Sequence, residues 1–155
     1  MATLTPDLMA QLITLALAHI PPEMLVGLQL PPPVFGAMEG EITAFSAETA
    51  SLTARFPVKA WYQNPMGYMQ GGMITAAIDN ALGPLSFLVA PPNVTRTLEM
   101  TYIRPITPDH AFIDVQAQLA ERDARKLVFT AHVRDEAGKL LARCRAVHWI
   151  VDALR

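Results

Sequence analysis

Gly71-Gly72-Met73-Ile74-Thr75-Ala76-Ala77-Ile78-Asp79-Asn80-Ala81-Leu82-Gly83-Pro84-Leu85-Ser86-Phe87-Leu88 is the segment around which the rest of this chain is arranged. It is the only long internal stretch that reads as a helix. Asp79 alone interrupts its apolar run, and between Lys59 and Arg96 there is no other Asp, Glu, Lys, Arg or His. An unpaired carboxylate is costly to bury, so a core helix ordinarily excludes one. Asp79 therefore has two readings: an acid sunk in hydrocarbon and kept for chemistry, or a solvent-facing acid near a helix end. Gly83-Pro84 is expected to kink or end the helix, because proline has no N–H to donate to the preceding turn.

Moving outward, Pro21-Pro22, Pro31-Pro32-Pro33 and Pro91-Pro92 punctuate the chain. Residues 5–20 read as a helix: Thr5 caps it, Pro6 suits its first turn, and Leu8, Leu12, Leu15 and His19 share a face. Ala37–Phe45 and Ser51–Val58 read as strands. Four more strands follow the long helix, over Thr95–Arg104, Phe112–Glu121, Lys126–Asp135 and Leu140–Ile150. Ile113, Val115, Ala117 and Leu119 alternate with polar residues, as do Leu127, Phe129, Ala131 and Val133. Asp135-Glu136-Ala137-Gly138 supplies hairpin chemistry between the last two strands. Two strands, a helix and a four-strand antiparallel meander make an α+β domain whose one apolar helix covers one sheet face. The expected division is a helical, proline-rich lead-in over 1–36 and the sheet domain over 37–155, together forming a single folded unit.

Composition narrows the classes of function. The formal net charge is −2, which gives no electrostatic basis for binding nucleic acid or an anionic membrane. Only 17% of the 155 residues are charged, against about 25% in an average soluble domain, so part of the surface is expected to be covered by a second copy. The single cysteine, Cys144, rules out an internal disulfide and fits a reducing cytoplasm. No Lys or Arg precedes Arg55, so the basic start of a secretory leader is missing. Asp79-Asn80 and Gly83-Pro84 break the longest apolar stretch, which argues against a simple membrane span.

Just before the long helix stands Asn64-Pro65-Met66-Gly67-Tyr68-Met69-Gln70-Gly71-Gly72. Glycines at a helix start let a ligand approach the backbone, and the first amides of the helix carry partial positive charge. Gly71 and Gly72 could thus hold a developing oxyanion without a charged side chain; the same residues also suit an ordinary glycine turn. Met66, Met69 and Met73 flank this turn and either fill core or line an adaptable acyl pocket. His19, His110, His132 and His148 are scattered without metal-ligand spacing, so no metal site is expected. His148 and Cys144 share a strand face and read as a core pair rather than a nucleophilic dyad.

The acid and the amides lie roughly 12 Å apart on one helix at 1.5 Å per residue, too far to act on one carbonyl. A twofold-related helix running the opposite way would bring the Asp79 of one subunit beside the Gly71 amide of the other. The chemistry, on this reading, needs a dimer.

These residues resemble a known family. Asn64 stands six residues before Gln70 and Asp79 nine after it, and Thr95 and Tyr102-Ile103-Arg104-Pro105 follow. In that order and spacing they are similar to the hotdog-fold acyl-CoA thioesterases of the phenylacetate-degradation (PaaI-like) type, over roughly residues 37–151. The resemblance implies an antiparallel sheet wrapped around one long central helix, here with an extra N-terminal helix, assembled as a dimer or a dimer of dimers. It implies an acyl-CoA substrate and no cofactor. By position, Asp79 corresponds to the general base or nucleophile, the Gly71 amide to the group polarising the thioester carbonyl, Asn64 to a positioning residue and Thr95 to the holder of the attacking water. Gln70 replaces the histidine usual in the family; it exchanges hydrogen bonds but not protons near neutral pH. Two alternatives go with it: a non-catalytic acyl-CoA-binding module, and a hotdog hydratase or dehydratase, which needs a histidine paired with an acid.

Overall fold

The computed structural model describes residues 6–26, 28–29 and 31–152. Its elements run α1 (Pro6–His19), α2 (Pro22–Leu25), α3 (Pro33–Ala37), β1 (Glu41–Ser46), β2 (Ser51–Pro57), a 3-10 turn (Ala60–Tyr62), α4 (Gly71–Val89), β3 (Asn93–Tyr102), β4 (Phe112–Arg122), β5 (Lys126–Arg134) and β6 (Leu140–Ile150). The proposed cap Thr5 and the face residue Leu8 fall outside the described side chains, whereas Leu12 of the same face is buried in the core.

The sheet is six-stranded and antiparallel, in the order β1-β2-β4-β5-β6-β3. This corrects the expected four-strand meander. Of those four strands only β4, β5 and β6 follow one another in the sheet; β3 pairs with β6 at the far edge, and β2 takes the place beside β4. The long α4 between β2 and β3 makes that possible, because it carries the chain across the sheet from one side to the other. The first strand is corrected too: it begins at Glu41, because Pro33–Ala37 forms a turn of helix started by its proline.

α4 lies in the concave face of the sheet. Ile74, Ala77, Ile78, Ala81, Leu82, Leu85 and Leu88 recur at helical spacing, and all are buried. They meet the inward alternation of Leu52, Ala54 and Phe56, of Ile113, Val115 and Ala117, and of Leu127, Phe129, Ala131 and Val133. By length and composition α4 could cross a membrane, and the sheet uses that apolar length as core. The helix passes through Gly83-Pro84 rather than ending there. Proline ordinarily pushes the preceding residue out of the helical region by clashing with its Cβ, and Gly83 has none. The architecture is the antiparallel sheet around one central helix that the resemblance implied, with α1 packed on α4.

Candidate active site

The loop leading into α4 is a tight, self-stapled turn. The Asn64 amide donates to the Tyr68 carbonyl at 2.7 Å, and the Gly67 amide donates to the Asn64 carbonyl at 2.9 Å. Gly67 takes φ +81°, a conformation that glycine adopts without strain. Asn64 Oδ1 accepts from the Met66 and Tyr68 amides at 2.9 and 3.1 Å, so its side-chain oxygen organises the loop and its NH2 is the free end. The Gln70 amide donates to the Tyr62 carbonyl at 2.8 Å, tying the loop to the buried Tyr62 just before the helix begins. Gln70 is the N-cap of α4, and its exposed side chain makes no capping bond.

The first amides of α4 come next. The Gln70 carbonyl already accepts from the Met73 and Ile74 amides, and among the described residues the Gly71 and Gly72 amides find no acceptor. Tyr102 stands over this turn: its hydroxyl donates to the Gly71 carbonyl at 3.1 Å and lies 2.8 Å from Thr75 Oγ1. A Cβ at position 71 would come within 3.2 Å of the Tyr102 ring, whereas one at position 72 would meet nothing within 4 Å. Of the three methionines, Met66 is exposed, Met69 is buried and Met73 packs partly buried on the core.

Two turns further along α4, Asp79 faces solvent in the protomer. The fully immersed acid is therefore not what a single chain presents: the apolar stripe turns inward and Asp79 falls off it. Thr95 of β3 donates its hydroxyl to Asp79 Oδ1 at 3.1 Å. Asn64, Gln70, Gly71 and Gly72 lie at the N-terminal end of the helix, and Asp79 and Thr95 lie along its middle. Within one protomer these are two half-sites.

A β-bulge places Thr95. The β3–β6 register slips between Thr95 and Thr97, so Thr95 sits opposite His148 while Thr97 sits opposite Val147. Leu98 and Met100 point inward; strict alternation counted back from them would turn Thr95 outward, and the extra residue at Arg96 reverses that.

Behind Thr95 lies a buried polar pair that the sequence reading took for core filling. His148 is 2% exposed, and its Nε2 is 3.3 Å from Thr95 Oγ1. Its Nδ1 is 2.8 Å from Oδ1 of Asn93, itself buried, and Asn93 Nδ2 donates to the Pro91 carbonyl at 2.9 Å. Burial lowers the imidazole pKa, partly opposed by the Asp79 charge. Cys144 shares that face; burial, then the Asp79 charge, raises its thiol to about 11. A thiol so far from ionisation is no nucleophile, which agrees with the core-pair reading of that residue.

Comparison with known proteins fits this geometry. A family model described as the thioesterase superfamily matches residues 66–142, which include the second half of the loop, α4 and the strands β3 to β5. No curated protein matches the sequence significantly. Among solved structures, a phenylacetic acid degradation-related protein from Ralstonia eutropha is similar at 26% identity and TM-score 0.73, over 83% of this chain and 97% of that one. The Escherichia coli PaaI protein of the phenylacetic acid degradation operon shares the fold at 16% identity and TM-score 0.69, over 74% and 86%. A Streptococcus mutans protein bound to acetyl-CoA does so at 14% identity and TM-score 0.68, over 75% and 91%. With the central helix, the wrapped antiparallel sheet and the Gly-Gly helix start in place, this chain belongs to the hotdog-fold thioesterase superfamily, on its PaaI-like side.

Proposed function

We propose that the protein hydrolyses an acyl-CoA thioester to a free acid and CoA, at sites shared between two copies of the chain. The observation that carries this reading is the pair of complementary half-sites on α4: a carboxylate held by Thr95 along its middle, and unpartnered Gly71 and Gly72 amides at its start. Opposed in a dimer, they would place a base and an oxyanion donor on one carbonyl. Asp79 would take a proton from water, or attack the carbonyl itself, while the Gly71 amide holds the oxygen as it gains charge. The free NH2 of Asn64 faces the same task of donating to the substrate, Thr95 orients the acid or its water, and Gln70 steadies the loop. Gly72, Met66 and Met73 would line the acyl entrance. Met69 is buried beneath it, so its share is support. The acetyl-CoA held by the Streptococcus mutans protein supports a CoA ester as the substrate class, and the absence of charged loop residues favours binding through backbone donors. A cytoplasmic location suits a single reduced, buried cysteine.

Release of thiol from acetyl-, octanoyl- and phenylacetyl-CoA tests the reaction. Turnover of at least one ester, lost in Asp79→Asn, is the expected result; equal rates for the variant and wild type would overturn the assignment. A second reading, a CoA-ester-binding module without turnover, is favoured by Gln70 alone. Tight binding without thiol release, together with hydrolysis gained in Gln70→His, would establish it. A dehydratase needs a histidine that touches substrate, and His148 is sealed behind Thr95.

A further inference from the structure

We propose that His148, fixed by Asn93, is the second proton station of the Asp79 site: through the Thr95 hydroxyl it takes up the proton that Asp79 removes from the attacking water. The inference deepens the hydrolysis reading and rests on it.

Asn93 sets the tautomer of the ring. Its Nδ2 donates to the Pro91 carbonyl at 2.9 Å, so the oxygen of the same amide faces His148 Nδ1 at 2.8 Å and can only accept. His148 Nδ1 therefore carries a hydrogen. In the neutral ring that leaves Nε2 bare, and Nε2 is the atom 3.3 Å from Thr95 Oγ1. On its other side Thr95 Oγ1 lies 3.1 Å from Asp79 Oδ1. Thr95 has one hydroxyl hydrogen and, in the resting state, two acceptors for it: a carboxylate and a bare imidazole nitrogen.

The chain Asp79–Thr95–His148–Asn93 is thus one proton short. Adding a single proton completes it. With that proton on Asp79, the acid donates to Thr95 Oγ1 and Thr95 donates to Nε2. With that proton on His148, Nε2–H donates to Thr95 Oγ1 and Thr95 donates to the carboxylate. The two states interconvert by two short transfers along hydrogen bonds already present, and no side chain moves.

The surroundings suit the task. Among the described residues, the titratable groups facing His148 are Asp79 from α4 and Cys144 from its own strand, whose thiol stays protonated. β3 presents Thr95 and Asn93, and β5 presents the uncharged Phe129 ring, 4.8 Å away between centroids. Burial keeps the ring neutral at rest with Nε2 bare, and the Asp79 anion offsets part of the cost that burial sets on the imidazolium once formed.

The water O–H bond breaks, its hydroxide oxygen bonds to the thioester carbon, and its proton passes to Asp79 and on to His148. Asp79 is then again an anion. The tetrahedral intermediate collapses, the carbon–sulfur bond breaks, and the CoA thiolate takes the stored proton back along the same path. The product acid loses its own proton to solvent.

Two measurements test this. His148→Gln keeps a hydrogen bond to Thr95 but cannot take up a proton. Its kcat on the best ester of the acetyl-, octanoyl- and phenylacetyl-CoA panel should fall at least about tenfold, with KM within about twofold, and the acid limb of the wild-type kcat profile that follows His148 should vanish. Wild-type kcat with an unchanged pH profile would overturn the relay. Independently of turnover, 15N NMR of the His148 ring should show the Nδ1–H form at neutral pH in wild type, and its pKa should drop in Asp79→Asn as the anion is removed. An Nε2–H ring, or a titration indifferent to Asp79→Asn, refutes the coupling. If wild type cleaves no ester on the panel, it is hydrolysis that fails, and the NMR result alone decides whether the two groups share a proton.

Discussion

The Tyr102 hydroxyl donates to the Gly71 carbonyl at 3.1 Å, joining the end of β3 to the first turn of α4 across 31 residues of sequence. This bond fixes the plane of the peptide that joins Gly71 to Gly72, and it braces the first turn of the helix, on which the Gly71 amide also sits. The same contact makes position 71 tight: an added Cβ would lie 3.2 Å from the Tyr102 ring and push it aside.

Substituting alanine at the two glycines should therefore separate stability from function. Gly72→Ala meets nothing within 4 Å and gains helix propensity, so it should melt at or slightly above wild type and keep most activity. In Gly71→Ala the same gain of up to about 1 kcal/mol offsets the push on Tyr102, whose exposed ring can yield, so its melting point should stay near wild type. Its kcat should nonetheless fall at least about tenfold, because one misaimed oxyanion donor is costly. Thermal melts with thiol-release rates check both; equal activity in the two variants would remove Gly71 from the site.

Asp79 makes the opposite kind of test. Its side chain is exposed in the protomer and its bond partner is a hydroxyl, so Asp79→Asn should change stability by no more than about 0.5 kcal/mol. Losing the base should cost about 10²- to 10⁴-fold in turnover. Urea titration beside steady-state kinetics separates the two quantities.

Much of this site could be read from the residues in order, and the part that could not has a definite cause. Gln70-Gly71-Gly72 and the Tyr102 strand stand out through their resemblance to the family pattern, and Asp79 also through the loneliness of one acid in an apolar run. The strands β4, β5 and β6 were legible because each alternates cleanly on a half-covered sheet. His148 was legible as an inward position of β6, but not as a partner of Asp79. That link requires β3 to pair with β6 rather than β4, and a bulge at Arg96 to turn Thr95 inward. Neither a crossover nor a one-residue slip leaves a periodic trace. Pro84 misled in part for a local reason: the helix tolerates the missing N–H there, and one clash that keeps proline out of helices, with the Cβ of the residue before it, does not arise at Gly83.

Two buried groups give the folded protein opposite sensitivities to pH. Cys144 has its pKa raised to about 11 from an ordinary 9.0, so its contribution is complete below the unfolded pKa and is lost as pH climbs from about 9 toward about 11. The loss should be on the order of 2 kcal/mol for that shift. His148 is lowered from 6.5, so its contribution is present above that value and fades as pH falls below it, when the unfolded chain takes a proton that the native ring resists. Urea unfolding midpoints across pH 5–11 should thus fall at both ends. Cys144→Ala should flatten the alkaline fall specifically. Native Cys144 should also resist iodoacetamide at pH 8 and react fully once unfolded.

The sharing of each site between two chains can be tested without a structure of the complex. Asp79→Asn spoils the base half-site and leaves the amides intact; Gly71→Val spoils the amide half-site through the Tyr102 contact and leaves the base intact. Each variant alone should be nearly inactive. Unfolded together and refolded as an equal mixture, half the dimers carry one of each chain. Every such heterodimer contains one site with both defects and one site with neither, so the mixture should recover about a quarter of wild-type activity. A site confined to one chain predicts no recovery at all, since every chain then carries a defect of its own. Sedimentation equilibrium run on the same sample distinguishes failed complementation from failed assembly: recovery requires dimers, and dimers without recovery would confine each site to a single chain.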